Sequence, residues 1–245
     1  MPTPLRLILV FSFMMPCSMY GQFNDSLHHH LRYGISGMIN KTANGRLFVL
    51  NNGLVFGIKQ KKTALNFDAS WIYGIQTGKL VNNDLTSVLN LDLGKDIHRV
   101  YYWGLAGFST SYSLRVRYQF QTGAGVGYNI LKKSKAEIIL SDGIILEAAD
   151  LKTVLDSPDV YRIFRNSLRL KYSWKINDLV SLEGIHFWQP SLRSLDDYIV
   201  RSISGLSLKL VGWLSINAGL VYNKLARTNR ENLLFNLGVI ADRYY

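Results

Sequence analysis

The 245-residue sequence predicts an all-β protein, a single antiparallel transmembrane β-barrel of about twelve strands behind a cleaved signal peptide. Three observations carry that expectation. Long segments alternate apolar and polar residues with period two. Their polar faces hold Arg, Gln and Gly, where a soluble core would be apolar. Charged residues make up 18% of the chain, against about 25% in soluble domains, so much of the outer surface is expected to face something other than water.

The leader comes first. Arg6 precedes the apolar run Leu7 to Met15, followed by Pro16, Cys17, Ser18, Met19, Tyr20, Gly21 and Gln22. A basic start, a short apolar core and a small residue before a polar one describe a signal peptide. The run is too short for a transmembrane helix, which needs about 20 residues. Cleavage is placed after Gly21, giving a signal peptide over 1–21 and an outer-membrane barrel domain over 22–245. Met14-Met15-Pro16 before Cys17 lack the small residues of a lipoprotein signal. With Cys17 lost in the leader, the mature chain has no cysteine and no disulfide. No other stretch approaches a transmembrane helix, so a membrane span must be a β-barrel.

The strands are expected near 31–40, 46–58, 63–76, 84–94, 99–110, 113–130, 135–147, 162–176, 178–189, 198–210, 212–223 and 232–245, with ten strands as the alternative count. Between Thr63 and Gln76, one face reads Leu65, Phe67, Ala69, Trp71, Tyr73, Ile75 and the other Asn66, Asp68, Ser70, Ile72, Gly74, Gln76. Between Leu114 and Ile130, apolar positions such as Val116, Tyr118, Phe120, Val126 and Tyr128 alternate with Arg115, Arg117, Gln119, Gln121 and three glycines. Between Arg162 and Ile176, Phe164, Leu168, Leu170, Tyr172 and Trp174 oppose Arg165, Arg169 and Lys171. These runs reach the 9–11 residues that cross a bilayer at a tilt, and aromatics sit near their ends as interface girdles do. Short turns are expected at 60–62, 95–98, 132–134, Asn177 and Val211, with outer loops at 148–161, 190–197 and 224–231. The longer loops all fall on one side, as an even strand count requires. Tyr101 to Ser109 and Ser181 to Trp188 alternate poorly. Asp142 falls on the apolar face, and a bulge near Asp142-Gly143 is expected to reset the register there.

The final segment places Leu233, Phe235, Leu237, Val239, Ala241 and Tyr245 on one face and Asn236, Gly238 and Asp242 on the other. A terminal aromatic on such a strand reads as an insertion signal carried by Phe235, Leu237, Val239 and Tyr245. An apolar edge this long is an aggregation hazard unless the barrel closes on it.

Tyr101-Tyr102-Trp103-Gly104 leading into Gly123-Ala124-Gly125-Val126-Gly127-Tyr128, the segment Asn166-Ser167-Leu168-Arg169-Leu170 and the strand from Arg230 to Tyr245 together resemble the family called domain of unknown function 481 (DUF481), salt-induced-type outer-membrane proteins. The resemblance covers most of the mature chain. It implies an outer-membrane barrel and no activity, and it supplies no catalytic residues.

The inward charges are the main candidates for function. The register places Arg115, Arg117, Arg165, Arg169, Lys171, Arg201 and Lys209 in the lumen with Gln119 and Gln121. The acids placed there are Asp68, Asp92, Glu137, Glu147, Glu183 and Asp242. One reading is a mostly occluded barrel in envelope structure or homeostasis, with charges paired inside. The alternative is a small anion-preferring channel with an Arg-lined lumen. A lipid-modifying barrel enzyme and a surface receptor using the 148–161 loop are weaker readings. Ser181 and Glu183 share one strand face and His186 takes the other, so they form no triad and no enzyme is expected. His28-His29-His30 lack a ligand framework, so neither metal nor cofactor is expected. The Gly123–Gly127 run has strand pattern on both sides, unlike a phosphate loop. The net charge of +11 is spread along strands and turns rather than along one stripe, which argues against nucleic acid. The expected partners are outer-membrane lipids and the barrel-assembly machinery. Oligomeric state is left open.

Overall fold

Alternation becomes a closed wall. The protein, seen in a computed structural model, is described over residues 28–42, 45–95, 98–152 and 157–244; segment 1–21, expected as a signal peptide, and Tyr245 lie outside the described residues. The strands are β1 (His28–Thr42), β2 (Gly45–Gln60), β3 (Thr63–Gln76), β4 (Lys79–Leu93), β5 (Val100–Ser111), β6 (Val116–Lys133), β7 (Ala136–Lys152), β8 (Pro158–Asn166), β9 (Leu168–Lys175), β10 (Val180–Pro190), β11 (Tyr198–Val211), β12 (Leu214–Leu225) and β13 (Arg230–Tyr244). A single 3₁₀ turn, η1 (Ala226–Thr228), is the helical element of the described residues. Sequential strands pair antiparallel except β8 and β9, and β13 pairs β1 from His30↔Tyr244 to Gly37↔Leu237, which closes the ring.

β8 and β9 are two halves of one wall position. β7 pairs with β9 along Ala136–Ser141 and with β8 along Ile144–Lys152. The break falls at Ser167, whose amide donates to the Gly143 carbonyl at 2.8 Å. The barrel therefore has twelve strand positions. An antiparallel wall with no free edge satisfies its backbone internally, which a bilayer demands.

The outer face is apolar. Leu31, Tyr33 and Ile35 on β1, Leu54 and Phe56 on β2, Phe67 and Trp71 on β3, and Leu233, Phe235, Leu237 and Val239 on β13 are all exposed. Polar groups on this face find partners within it. The Tyr33 hydroxyl donates to Asn52 Oδ1 at 2.9 Å, and Trp71 Nε1 donates to Asn83 Oδ1 at 3.0 Å.

The structure revises several boundaries. β4 starts at Lys79, because a bulge between Gly74 and Ile75 extends its pairing with β3. β7 and β8 run into the stretch expected as a 148–161 loop, since Ala148 to Lys152 pair with Pro158 to Arg162. No bulge resets β7 at Asp142, which keeps its outward position and accepts a 2.7 Å bond from Asn166. β5 alternates regularly, but its inward residues Tyr101 and Trp103 are aromatic and buried, so the polar-inside pattern fails there.

Candidate functional site

The lumen is filled unevenly, and the sequence says why. β6 presents Gly123, Gly125 and Gly127 inward. With no side chains on that strip, Tyr101 and Trp103 from β5 and Ile139 and Ile145 from β7 close over it as a buried apolar cluster. A Cβ on Gly127 would collide with the Tyr101 ring, and one on Gly125 or Gly143 would sit 2.6 Å from Trp103 Cζ2. The Arg169 guanidinium lies 5.3 Å from the centre of the Trp103 ring and donates to Ser141 Oγ at 2.8 Å.

Nearer the loop end, side chains from distant strands meet. Val116 (β6), Ala149 and Leu151 (β7), Ile199 (β11) and Leu225 (β12) form a second buried apolar cluster, with Leu114 and Tyr161 packed on it. The 112–115 turn folds over this end. Asp84 holds it, accepting from Ser111 Oγ at 2.8 Å, Ser113 Oγ at 2.7 Å and the Ser113 amide at 3.0 Å. Ser113 Oγ in turn accepts from Asn232 Nδ2 of β13 at 3.1 Å. β13 lies half-way round the ring from that turn, so opposite walls touch at the mouth.

A charged network locks the same end. Glu147, fully buried, accepts on Oε1 from Tyr161 Oη (2.6 Å) and Arg165 Nη2 (3.0 Å). Its Oε2 accepts from Gln119 (3.0 Å) and Gln121 (2.7 Å). Arg165, also fully buried, donates further to Asp197 Oδ1 (2.8 Å), the Asp197 carbonyl (2.8 Å) and the Gln189 carbonyl (3.3 Å). Asp197 Oδ2 accepts from Arg227 Nε at 2.7 Å, and Arg227 Nη1 reaches Asp159 at 3.1 Å. The Arg227 guanidinium lies 3.9 Å from the centre of the Tyr161 ring. Burial works against the Arg227 charge, but the hydrogen bonds to Asp197 and Asp159 and the Asp197 charge outweigh it and raise its pKa. Six pieces of chain (β6, β7, β8, β10, the 191–197 segment and η1) are thereby tied together.

The turn end carries pairs of its own. Arg32 of β1 forks onto Glu183 of β10 at 2.6 and 3.2 Å. Asp68 accepts from Asn90 at 3.1 Å. Lys171 is exposed to solvent inside the lumen, within electrostatic reach of Lys95, Glu137, Arg169 and Asp92.

The expected lumen residues thus separate. Gln119, Gln121 and Arg165 join the mouth network. Arg169, Lys171, Asp68, Glu137 and Glu183 line the turn-end half. Arg115 and Arg117 lie elsewhere. Arg115 sits in the 112–115 turn with φ of 59°. A register shift between Val116 and Tyr118 carries Arg117 to Asp150, at 3.3 Å, with its side chain 55% exposed. His28, His29 and His30 belong to β1, so alternate residues take opposite faces; His30 bonds Asp242 at 2.7 Å and His29 stacks on Phe56. His186 faces outward, bonding Ser202 Oγ at 2.7 Å and stacking on Tyr172, while Glu183 is engaged by Arg32.

Asp84, Asp159, Asp197, Arg227 and Tyr161 were not singled out by sequence pattern. Their partners are far away in the chain, and no local spacing announces such contacts. Tyr101 and Trp103 had a signal, namely that aromatic residues precede a strand with glycines at every second position.

The comparisons agree with this architecture. The NanC porin superposes with a TM-score of 0.53 at 10% identity, covering 86% of this chain and 98% of the porin. An outer-membrane channel from Pseudomonas putida F1 superposes with a TM-score of 0.50 at 13% identity, covering 92% of this chain and 98% of the channel. The translocator domain of the autotransporter NalP from Neisseria meningitidis gives 0.47 at 13% identity, with 88% of each chain covered. No curated protein matches the sequence. The protein is an outer-membrane-type β-barrel with the fold of porins and channels. The family model described as "Protein of unknown function, DUF481" matches residues 36–231, and the chain belongs to that family.

Proposed function

We propose that the protein sits in the outer membrane as a mostly occluded barrel, with a role in envelope structure or homeostasis and no catalytic step. The closed mouth carries this reading. Apolar residues from β6, β7, β11 and β12 meet there, the Glu147–Arg165–Asp197–Arg227 network ties the rim, and Ser113 touches Asn232 across the ring. Location rests on the apolar outer wall. The exposed stripe Phe235, Leu237 and Val239 on the closing strand is the surface the barrel-assembly machinery would engage.

A second reading, a small anion-preferring channel gated at this mouth, is favoured by the cations Lys171 and Arg169 lying near one another in the lumen. Similarity of fold to a porin and a channel supports the same reading.

Single-channel conductance of the refolded protein under a salt gradient tests both. Folding is checked by heat-modifiable gel mobility. The occluded reading expects no steps from the wild type. Discrete steps from the wild type would overturn it. Anion-preferring steps that appear only in the Asp197→Ala/Arg227→Ala variant would assign the mouth as a gate.

A further inference from the structure

The break between β8 and β9 leaves a mark on the outer wall. β8 is paired with β7 along one edge; along its other edge the backbone pairing among the described residues is limited to the Arg165↔Ser191 bridge and the Leu192 amide, which donates to the Phe164 carbonyl at 2.9 Å. Two adjoining clefts open where a full strand would otherwise lie. One, of about 420 Å³, is lined by Leu146, Arg162, Ile163, Phe164, Leu192 and Arg193. The other, of about 340 Å³, shares Leu192 and Arg193 and continues past Trp188 and Leu195. Phe164, Leu192, Leu195 and Trp188 are all exposed, so the cleft is apolar and open.

Its cations are unlike their neighbours. Arg165, Arg227 and Arg117 are each tied to a carboxylate. Arg162 and Arg193 are exposed, and among the described residues their side chains make no hydrogen bond or ion pair. Their depth is set by register. Tyr118 and Tyr128 both face outward on β6 and bracket an apolar stretch that contains Phe120 and Val126, in keeping with a band about 25 Å tall between aromatic girdles. Arg162 pairs with Ala148, which pairs with Phe120. Arg162 therefore stands at the loop-side edge of the band, where lipid head groups begin.

We propose that this cleft binds a phosphate-bearing lipid of the loop-side leaflet, with an acyl chain against Leu146, Phe164 and Leu192 and a phosphate on Arg162 and Arg193. Guanidinium forks match phosphate oxygens, and no competing carboxylate holds these two. The inference rests on the membrane-barrel reading above.

The test uses the refolded barrel in neutral detergent and native mass spectrometry. The probes are a bisphosphorylated six-chain glycolipid (lipid A) and its dephosphorylated form. The wild type is expected to retain the phosphorylated probe, and Arg162→Gln/Arg193→Gln to retain it about 30-fold more weakly, at about 1 kcal/mol per basic residue. The dephosphorylated probe should bind the wild type about as weakly as the phosphorylated probe binds the double variant. Phe164→Ser should weaken both probes. Equal retention of both probes, or equal retention by wild type and double variant, overturns the site. So does displacement of lipid A by millimolar inorganic phosphate alone, which would indicate a free-anion site. Insertion into phosphatidylcholine vesicles is scored separately. A barrel that fails to insert counts against the membrane reading, whereas one that inserts without discriminating the probes counts against this site alone.

Discussion

At the scale of single residues, the barrel interior rests on two arrangements that mutate differently. The first is the Glu147–Arg165 pair, with both side chains fully buried and 3.0 Å apart. Removing one partner of such a pair leaves a desolvated charge and costs about 3–5 kcal/mol. Arg165→Met is therefore expected to lower the urea midpoint of unfolding strongly. In Arg165→Met/Glu147→Gln the stranded carboxylate is neutral, so the double variant should lose less than the sum of its single changes. Additive losses would show that the two side chains act independently. The second arrangement is the Tyr101 ring over Gly127. The three heavy atoms nearest to where a Cβ would go all belong to that ring. Gly127→Ala is expected to cost about 1–3 kcal/mol by overpacking. In a Tyr101→Ala background the same change should cost almost nothing, which separates loss of ring space from loss of glycine flexibility.

At the scale of elements, the readable signal is the outer face. Bilayer contact forces every second residue of a strand to be apolar, so β3, β6 and β13 were legible from Leu65–Ile75, Phe120–Tyr128 and Leu233–Val239. The inner face follows no such rule. Tyr101, Trp103, Ile139 and Ile145 are apolar yet point inward, because glycines on β6 leave them room. That erased the contrast on β5. On β10, Ile185 shares the inward face with Glu183 while His186 points outward against Ser202, which explains its poor alternation. The mouth network was half legible. Gln119, Gln121, Glu147 and Arg165 sit on alternating strands, whereas Asp197 and Arg227 lie in connections without period. A register shift likewise hides Arg117. Cysteine labelling checks this element by element. Val126→Cys should react with a lipid-soluble maleimide from the bilayer. Arg169→Cys should be shielded from it. Arg117→Cys should react with a membrane-impermeant reagent applied at the loop end. Bilayer labelling of Arg169→Cys would refute the β9 register.

At the scale of the whole molecule, the mouth is narrower than the ring that carries it. Twelve strands about 4.8 Å apart and tilted near 45° enclose a circle on the order of 25 Å across. Yet Asn232 Nδ2 and Ser113 Oγ, half-way round that circle from one another, are 3.1 Å apart. The Asp84 carboxylate draws the 112–115 turn inward, and the clusters beneath it fill the remaining gap. Closure thus combines one turn, 112–115, held by side chains of β4 and β13, with a buried cluster supplied by the strands themselves. A disulfide reports which state prevails in a membrane, since it needs Cα atoms within about 7 Å. The Ser113→Cys/Asn232→Cys variant, made with Cys17, the one native cysteine, replaced by Ser, is expected to oxidise readily in vesicles. Its heat-modifiable mobility should be kept. If the mouth were a wide water-filled opening, the two positions would stand too far apart and the thiols would stay free. Where oxidation does occur, reduction supplies a second reading of the same molecule. Conductance that is absent in the oxidised form and returns with reductant would make the 112–115 turn the moving part of a gate. Silence in both forms would make it a fixed plug.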